Sequence, residues 1–340
     1  MKFQIIFPFS CLLIGCAQNV GAQQGKRLVP DLVLATPISV DVATDGSIIV
    51  ADLTAPAVHF LGRNGRVSWS RTSKGVGPGD VMRPYRVAIG DTSVVVYDFT
   101  ARDFSRFSVK GTFMQRFRLS IALTTVDDIV SIGDSLLLVL GSTRQSGIEN
   151  AAIHAFSAGG AHLRSFGKLA IANDRSKLSM SGTGTLAKTD RKTVLYTRKG
   201  PFQLIEYSAD GRLVRSLVPP VTINAVVDSI VRIDTNAEGR ERISSRSKEI
   251  RFPVKAIPLS NNYVLSGISD RGTLRWWVHP PTGNSVTVSI PAGLSPSAWN
   301  PATCELIAII TSEDEEPALV AFDVWSASPT KRSLFERCRR

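Results

Sequence analysis

Apolar and polar residues alternate in short runs along most of this chain. β-branched and aromatic residues fill the runs, and Gly, Asn and Asp cluster between them. That alternation predicts strands joined by tight turns. The pattern also repeats. Asp45, Val50, Asp52 and Gly65 recur 46 residues later as Asp91, Val96, Asp98 and Gly111. Each copy reads as a turn, an apolar strand ending in Asp, a polar bend, a second strand and a glycine-containing hairpin turn.

The repeat continues along the chain. The first unit predicts strands at 38–42, 48–51 and 58–61, and the second at 86–89, 94–97 and 104–109. The third gives 129–132, 136–140 and 153–156, and the fourth 194–197 and 204–207 after a turn at 189–192. The fifth gives 263–266 and 274–278, and a degenerate sixth 304–310 and 319–324. Hairpin glycines fall at 65, 111, 160 and 211, spaced by 46, 49 and 51 residues, because tight hairpins need positive φ. The next step, to Gly283, is 72 residues. It marks an insertion near 222–251, where a short apolar piece (226–233) runs into a charged one (236–248), read as a loop or short helix on one mouth of a ring.

An all-strand repeat of about 40–50 residues is the mark of propeller blades, which bury both faces only by stacking into a closed ring. About 310 residues at about 50 per unit predicts six blades. The fold class is therefore all-β, a six-bladed β-propeller of four-stranded antiparallel blades over 31–340. An early apolar piece, 32–34, is placed to pair with the last blade and seal the ring.

Ahead of the repeats lies a targeting segment. Lys2 precedes an apolar stretch over 3–14, too short to span a bilayer. Leu13-Ile14-Gly15-Cys16 matches a lipobox at all four positions, with Cys16 the acylated new N-terminus and 1–15 the signal peptide. Val20-Gly21-Ala22 offers ordinary cleavage instead. Residues 16–30 read as a flexible leader. The implied location is the cell envelope, anchored by lipid and facing the periplasm or cell surface, or soluble after simple cleavage. In an exported chain, Cys304 and Cys338 form an even pair suited to a disulfide. It would close about 35 residues, worth about 4 kcal/mol in the chain-entropy model.

The net charge is +11, from 40 basic and 29 acidic residues. In that compartment the charge favours anionic surfaces over nucleic acid. The arginines are scattered, which reads as a solvated surface.

Gly75-Val76-Gly77-Pro78-Gly79-Asp80, Pro84, Val87-Ala88-Ile89, Val96-Tyr97-Asp98, Phe107, Gly111 and Phe113 resemble the NHL-type six-bladed propeller pattern carried by bacterial exported propeller lipoproteins. The resemblance is good over 37–120, fair to 217 and weak beyond. It implies fold rather than activity, because its glycines and aspartates are scaffold residues. Its members include binding modules and a few enzymes, and no catalytic set transfers.

Local motifs point the same way. The glycine loop at 75–79 leads to a proline and a strand, not to the helix N-terminus a phosphate loop needs, so it reads as an inter-blade crossover. His59, His154, His162 and His279 lack metal spacing and read as surface residues, although His154 and His162 flank one hairpin. Ser245 and Lys248 form a lone Ser-x-x-Lys in the polar insertion. Glu313 to Glu316 could bind calcium but reads as a solvated hairpin tip. Trp276, Trp277, Trp299 and Trp325 read as wedges between blades rather than a sugar platform.

The ring centre is where chemistry would gather, and the inner strands bring Asp41, Arg86, Asp127 and Asp128 there. No catalytic residue or metal ligand is assigned. The expected function is a binding or scaffold module for a protein, peptide or glycan, docking near Arg86 and the insertion. The alternative is a metal-dependent hydrolase or lyase with its ion, calcium or zinc, in the central channel. The first inner strand offers Asp41 and no Glu, which weakens that alternative.

Overall fold

The computed structural model describes residues 25–75, 77–169, 184–198, 202–217, 227–235, 241–249, 251–270, 273–310 and 315–324; for 227–235, 241–249 and 251–253 the backbone alone is described. The protein is a six-bladed β-propeller. Five blades are up-and-down four-stranded meanders running outward from the axis. Blade I holds Pro37–Val42, Ile48–Asp52, Ala57–Leu61 and Val67–Arg71, and blade II Pro84–Ile89, Ser93–Asp98, Asp103–Ser108 and Phe113–Phe117. Blade III holds Thr125–Ile132, Leu136–Ser142, Ala151–Ser157 and His162–Lys168, and blade IV Gly184–Lys188, Val194–Arg198, Gln203–Tyr207 and Leu213–Leu217. Blade V holds Arg251–Pro258, Val264–Asp270, Thr273–His279 and Val286–Val288. Blade VI takes Leu294–Asn300, Glu305–Ile310 and Leu319–Phe322 from the C-terminal part of the chain, and its outermost strand from the N-terminal part, Lys26–Arg27.

That last strand seals the ring, since Lys26 pairs with Ala321 and Arg27 with Val320. The closing strand thus lies within the expected flexible leader and not at 32–34. Residues 32–34 serve differently: Leu34 is buried in the cluster between blades VI and I, and Leu32 packs against it. The 222–251 insertion also differs from its expected loop or helix. Val227–Thr235 and Glu241–Glu249 form an antiparallel hairpin, a sheet of its own between blades IV and V. The expected signal peptide over 1–15 and the expected lipid site, Cys16, lie outside the described residues.

Each seam between neighbouring blades carries its own hydrophobic cluster, six in all around the ring. At the I–II seam, for example, Ile49, Val58 and Phe60 meet Val87, Val94 and Phe107. The second strands of blades I and II are buried along their whole length, which explains why they read as continuous apolar runs. Trp276 and Trp299 pack in the V–VI seam and Trp277 in the IV–V seam, so these three are inter-blade wedges; Trp325 lies outside the described residues.

The repeated polar residues hold this scaffold. Asp98 accepts hydrogen bonds from the Met82 and Arg83 amides of the incoming crossover at 2.6 and 2.9 Å, and from Thr100 and Ala101 of its own bend, both at 3.0 Å. Asp52 does the same for Ala35, Thr36 and Ala55. The 75–80 loop is the crossover from blade I to blade II, closed by the Gly77 amide on Asp80 at 3.0 Å.

At some outer hairpins the glycine serves twice, for its positive φ and for close packing. Gly111 has φ +86° and a Cβ there would sit 2.8 Å from Trp69 of the preceding blade; Gly211, at φ +89°, would meet Phe166 at 2.8 Å. Gly283 has the same positive φ but faces open space.

Several arginines are structural rather than solvated, contrary to the expectation from their scatter. Arg71 donates to the Gly111 carbonyl, Arg106 to Ala158 (3.1 Å), Arg164 to Ala209 (2.6 Å) and Arg215 to Asn262 (3.2 Å). Each reaches from one blade to a turn carbonyl of the next. Four successive seams, I–II through IV–V, are latched this way. Part of the positive charge is therefore consumed in closing the ring.

Candidate functional site

The innermost strands leave one edge without a ladder partner, and its amides must be satisfied by other groups. Side chains of the adjacent blade do this. Ser39 Oγ accepts from the Val87 amide at 3.1 Å, and Asp41 Oδ2 from Ile89 at 2.8 Å. Asp128 Oδ2 accepts from Leu186 at 2.9 Å. Blade I is thereby stitched to II, and III to IV.

The same strands share a second feature. Five of the six carry a register shift close to their start, between Pro37 and Ser39, Pro84 and Arg86, Val126 and Asp128, Pro253 and Lys255, and Pro296 and Ala298. A bulge bends a strand and re-aims the side chains beside it. Ser39, Arg86, Asp128, Lys255 and Ala298 thus occupy corresponding places around the axis.

These strands enclose a central chamber of about 450 Å³. All four residues expected at the channel, Asp41, Arg86, Asp127 and Asp128, line it. Two further cations line it that sequence reasoning missed, Lys188 and Lys255. The missing signal was positional. Lys188 stands immediately before the turn that opens unit four, and Lys255 six residues before the turn at Asn261-Asn262. Counting back from those turns would have placed both on inner strands.

Most of these charges are already engaged. Arg86 donates from Nε to the Asp127 carbonyl at 2.6 Å and from Nη1 to the Tyr85 carbonyl at 2.9 Å. Its guanidinium lies 3.9 Å from the Tyr85 ring centroid and its Nε 3.9 Å from Asp128 Oδ1. Lys188 Nζ donates to the Ile89 carbonyl at 2.5 Å and stands 3.6 Å from Asp41 Oδ2. Asp128 also accepts from the Ile129 amide at 3.0 Å, and Asp41 from Val42 at 2.8 Å. Lys255 is different. It is enclosed by the ring, half-buried, and makes no hydrogen bond or ion pair among the described residues.

Enclosure moves two of these groups. Burial holds the Asp128 carboxyl above the usual carboxylate range, although Arg86 and Lys255 pull it down. Burial holds the Lys255 ammonium below the usual lysine range, although Asp128 and Asp41 oppose this and Arg86 adds to it. Among the described residues, no three His, Cys, Asp or Glu side chains gather to hold a metal ion.

The remaining sequence candidates sit elsewhere. His59, His154 and His279 are buried within blades and not on the surface. His59 bonds Ser70 at 2.7 Å, and His279 bonds Ser266 at 2.6 Å and Ser285 at 2.8 Å. His154 and His162 do approach one another, meeting at Ser165 Oγ at 2.7 and 2.9 Å. These pairs tie third strands to their neighbours inside one blade, away from the chamber. Ser245 and Lys248 fall on the hairpin whose backbone alone is described. Glu315 and Glu316 are exposed, and 313–314 lie outside the described residues. Cys304 is disulfide-bonded, and Cys338 lies outside the described residues.

Fold and site together define a closed six-bladed propeller with a charged central chamber. No family model and no curated protein sequence matches the chain. Solved structures do match its shape. A Bacteroides fragilis protein described as exported is 8% identical with a TM-score of 0.56, over 87% of this chain and 92% of that one. A DUF4221 member from Bacteroides vulgatus is 6% identical with a TM-score of 0.51, over 89% and 95%. A virginiamycin B lyase from Staphylococcus aureus, crystallised with quinupristin, is 11% identical with a TM-score of 0.50, over 86% and 83%. At such identities the likeness establishes the fold alone.

Proposed function

We propose that this protein is an exported binding propeller of the cell envelope, anchored through a lipid on Cys16, whose central chamber takes a small ligand or the end of a protein, peptide or glycan partner. One observation carries the reading: inner strands from all six blades converge on a single chamber that holds a lysine without a partner among the described residues. The likeness in fold to a Bacteroides fragilis protein described as exported and the lipobox at 13–16 support the location.

The test is capture. Purified protein is mixed with envelope extract, washed, and its bound compounds identified by mass spectrometry. A variant with the channel plugged, Ala187→Trp, is run beside it, since Ala187 lines the chamber. A compound enriched on the native protein, lost from the plugged one and recovered unaltered is the expected result. Equal capture by both proteins refutes it, provided the plugged variant keeps its melting temperature. Export has a separate readout: Cys16→Ser should abolish labelling by an alkynyl fatty acid and release the protein from the membrane fraction.

The alternative, an enzyme with a channel metal, would draw on Asp41, Asp127 and Asp128. Asp41 and Asp128 already engage both oxygens with backbone amides, which argues against it. Stoichiometric calcium or zinc in purified protein, or conversion of the captured compound, would favour it.

A further inference from the structure

The charged groups of the chamber are unevenly provided for. Arg86 and Lys188 each have carbonyl partners and a carboxylate within 4 Å. Asp41 and Asp128 each accept two backbone amides. Lys255 carries three donors, and none is taken among the described residues. Asp128 and Asp41 act on it only from a distance, without a hydrogen bond or close ion pair among the described residues; an enclosed ammonium whose donors are unmet is costly, and an anion that reaches it recovers that cost.

Beside Lys255 the chamber wall changes character. Val254, Ile257, Leu259 and Trp299, from blades V and VI, give it an apolar side. Trp299 is fixed there by its indole nitrogen, which donates to Ser260 Oγ at 3.0 Å. The chamber is also lined by four carboxylates, Asp41, Asp127, Asp128 and Asp190, beside the cations Arg86 and Lys188. Those carboxylates repel a doubly charged anion such as phosphate about twice as strongly as a single negative charge, and only the latter can come with an apolar body suited to the wall of Val254 and Trp299. The volume, about 450 Å³, lies within the range of about 300–1,000 Å³ common to small-molecule sites.

We propose that the chamber is a site for an organic carboxylate, seated on the Lys255 ammonium with its apolar body against Val254, Ile257, Leu259 and Trp299. This deepens the chamber-binding reading and rests on it. A bound carboxylate also counters the burial that depresses Lys255. The charged groups acting on that lysine are Asp128 and Asp41, which favour its protonated form, and Arg86, which opposes it.

The test uses the full chain and benzoate as the probe, with inorganic phosphate as the comparison anion. Lysines of the native protein are acylated with acetic anhydride and each site is followed by mass spectrometry. Benzoate should slow modification of Lys255 and leave the exposed Lys110 unchanged, and phosphate should protect Lys255 far less. By calorimetry, Lys255→Met should weaken benzoate binding at least about tenfold, the loss of one charge-assisted hydrogen bond. Unchanged reactivity of Lys255 overturns the assignment, as does full affinity in Lys255→Met. Equal protection by phosphate overturns the preference for a carboxylate. Should the variant fail to fold, the acylation of native protein decides alone. If benzoate is ignored while the Ala187→Trp plug still abolishes capture from envelope extract, the chamber reading stands and only the ligand class falls.

Discussion

Mild acid should unfold this propeller, through histidines that the blades hold neutral. His154 and His279 are fully buried, and burial lowers both from an ordinary 6.5 to about 4. The folded value lies below the unfolded one, so between these limits the unfolded chain binds more protons than the folded one. Stability is then complete above about pH 6.5 and is lost as pH falls toward 4. Each pH unit of displacement is worth about 1.4 kcal/mol, so each histidine accounts for about 3 kcal/mol by pH 4. His59 is displaced in the same direction by burial. Asp103 and Asp128, held above the carboxylate range by burial, act the opposite way and soften the fall. The assay is urea unfolding, followed by tryptophan fluorescence at pH 7.5, 6.5, 5.5 and 4.5. The midpoint should drop steadily below pH 6.5. In His279→Asn the fall should be shallower by up to about 1.4 kcal/mol per pH unit, whatever the variant's stability at pH 7.5. An unaltered pH slope in the variant would refute the reasoning, because the slope counts protons and not contacts.

Three further outcomes follow from the blade seams. Gly111→Ala and Gly211→Ala should each cost about 2 kcal/mol or more, from positive φ and contact with the preceding blade's aromatic ring, while Gly283→Ala, strained but uncrowded, should cost about 1 kcal/mol; urea midpoints of the three decide. Arg164→Met removes the latch on the Ala209 carbonyl and should lower stability by about 1–2 kcal/mol in the same assay. Cys304→Ser should lower the thermal midpoint by the equivalent of about 2–4 kcal/mol, and reductant should bring the native protein down to the variant's value without moving the variant.

Much of the ring was legible because its scaffold residues are tied to turns. Asp52 and Asp98 each cap an incoming crossover, and Gly65 and Gly111 each close a hairpin, so their spacing betrays the blade period. The outermost strands were less legible. They are half-exposed, as the pattern over Val67–Arg71 illustrates, and carry no continuous apolar run. The sealing strand was misplaced for a related reason. Lys26–Arg27 is exposed and held by backbone pairing with Val320 and Ala321, so its side chains give no sign of a strand, whereas Leu32 and Leu34 look like one and instead fill a seam. The buried histidines were misread because their serine partners lie 11 or 13 residues away, on a neighbouring strand, and only the hairpin register brings them together.

The chamber is harder to read for a deeper reason. A repeat is found by matching identical residues, and in a propeller those are the ones that hold blades together. Ligand recognition needs a ring whose corresponding positions differ, since six copies of one charge would only repel. Ser39, Arg86, Asp128, Lys255 and Ala298 follow the bulges of five inner strands and are five different residue types, from hydroxyl and methyl to cation and carboxylate. The comparison that exposes the blades therefore averages the site away. Once turns fix where each inner strand ends, counting back to the bulge turns that disagreement into information: Arg86 and Asp128 come from adjacent blades and engage one another, while Lys255, two blades beyond Asp128, comes close enough to feel its charge yet makes no ion pair with it among the described residues. The unmatched position, rather than the repeated one, is where a ligand is expected.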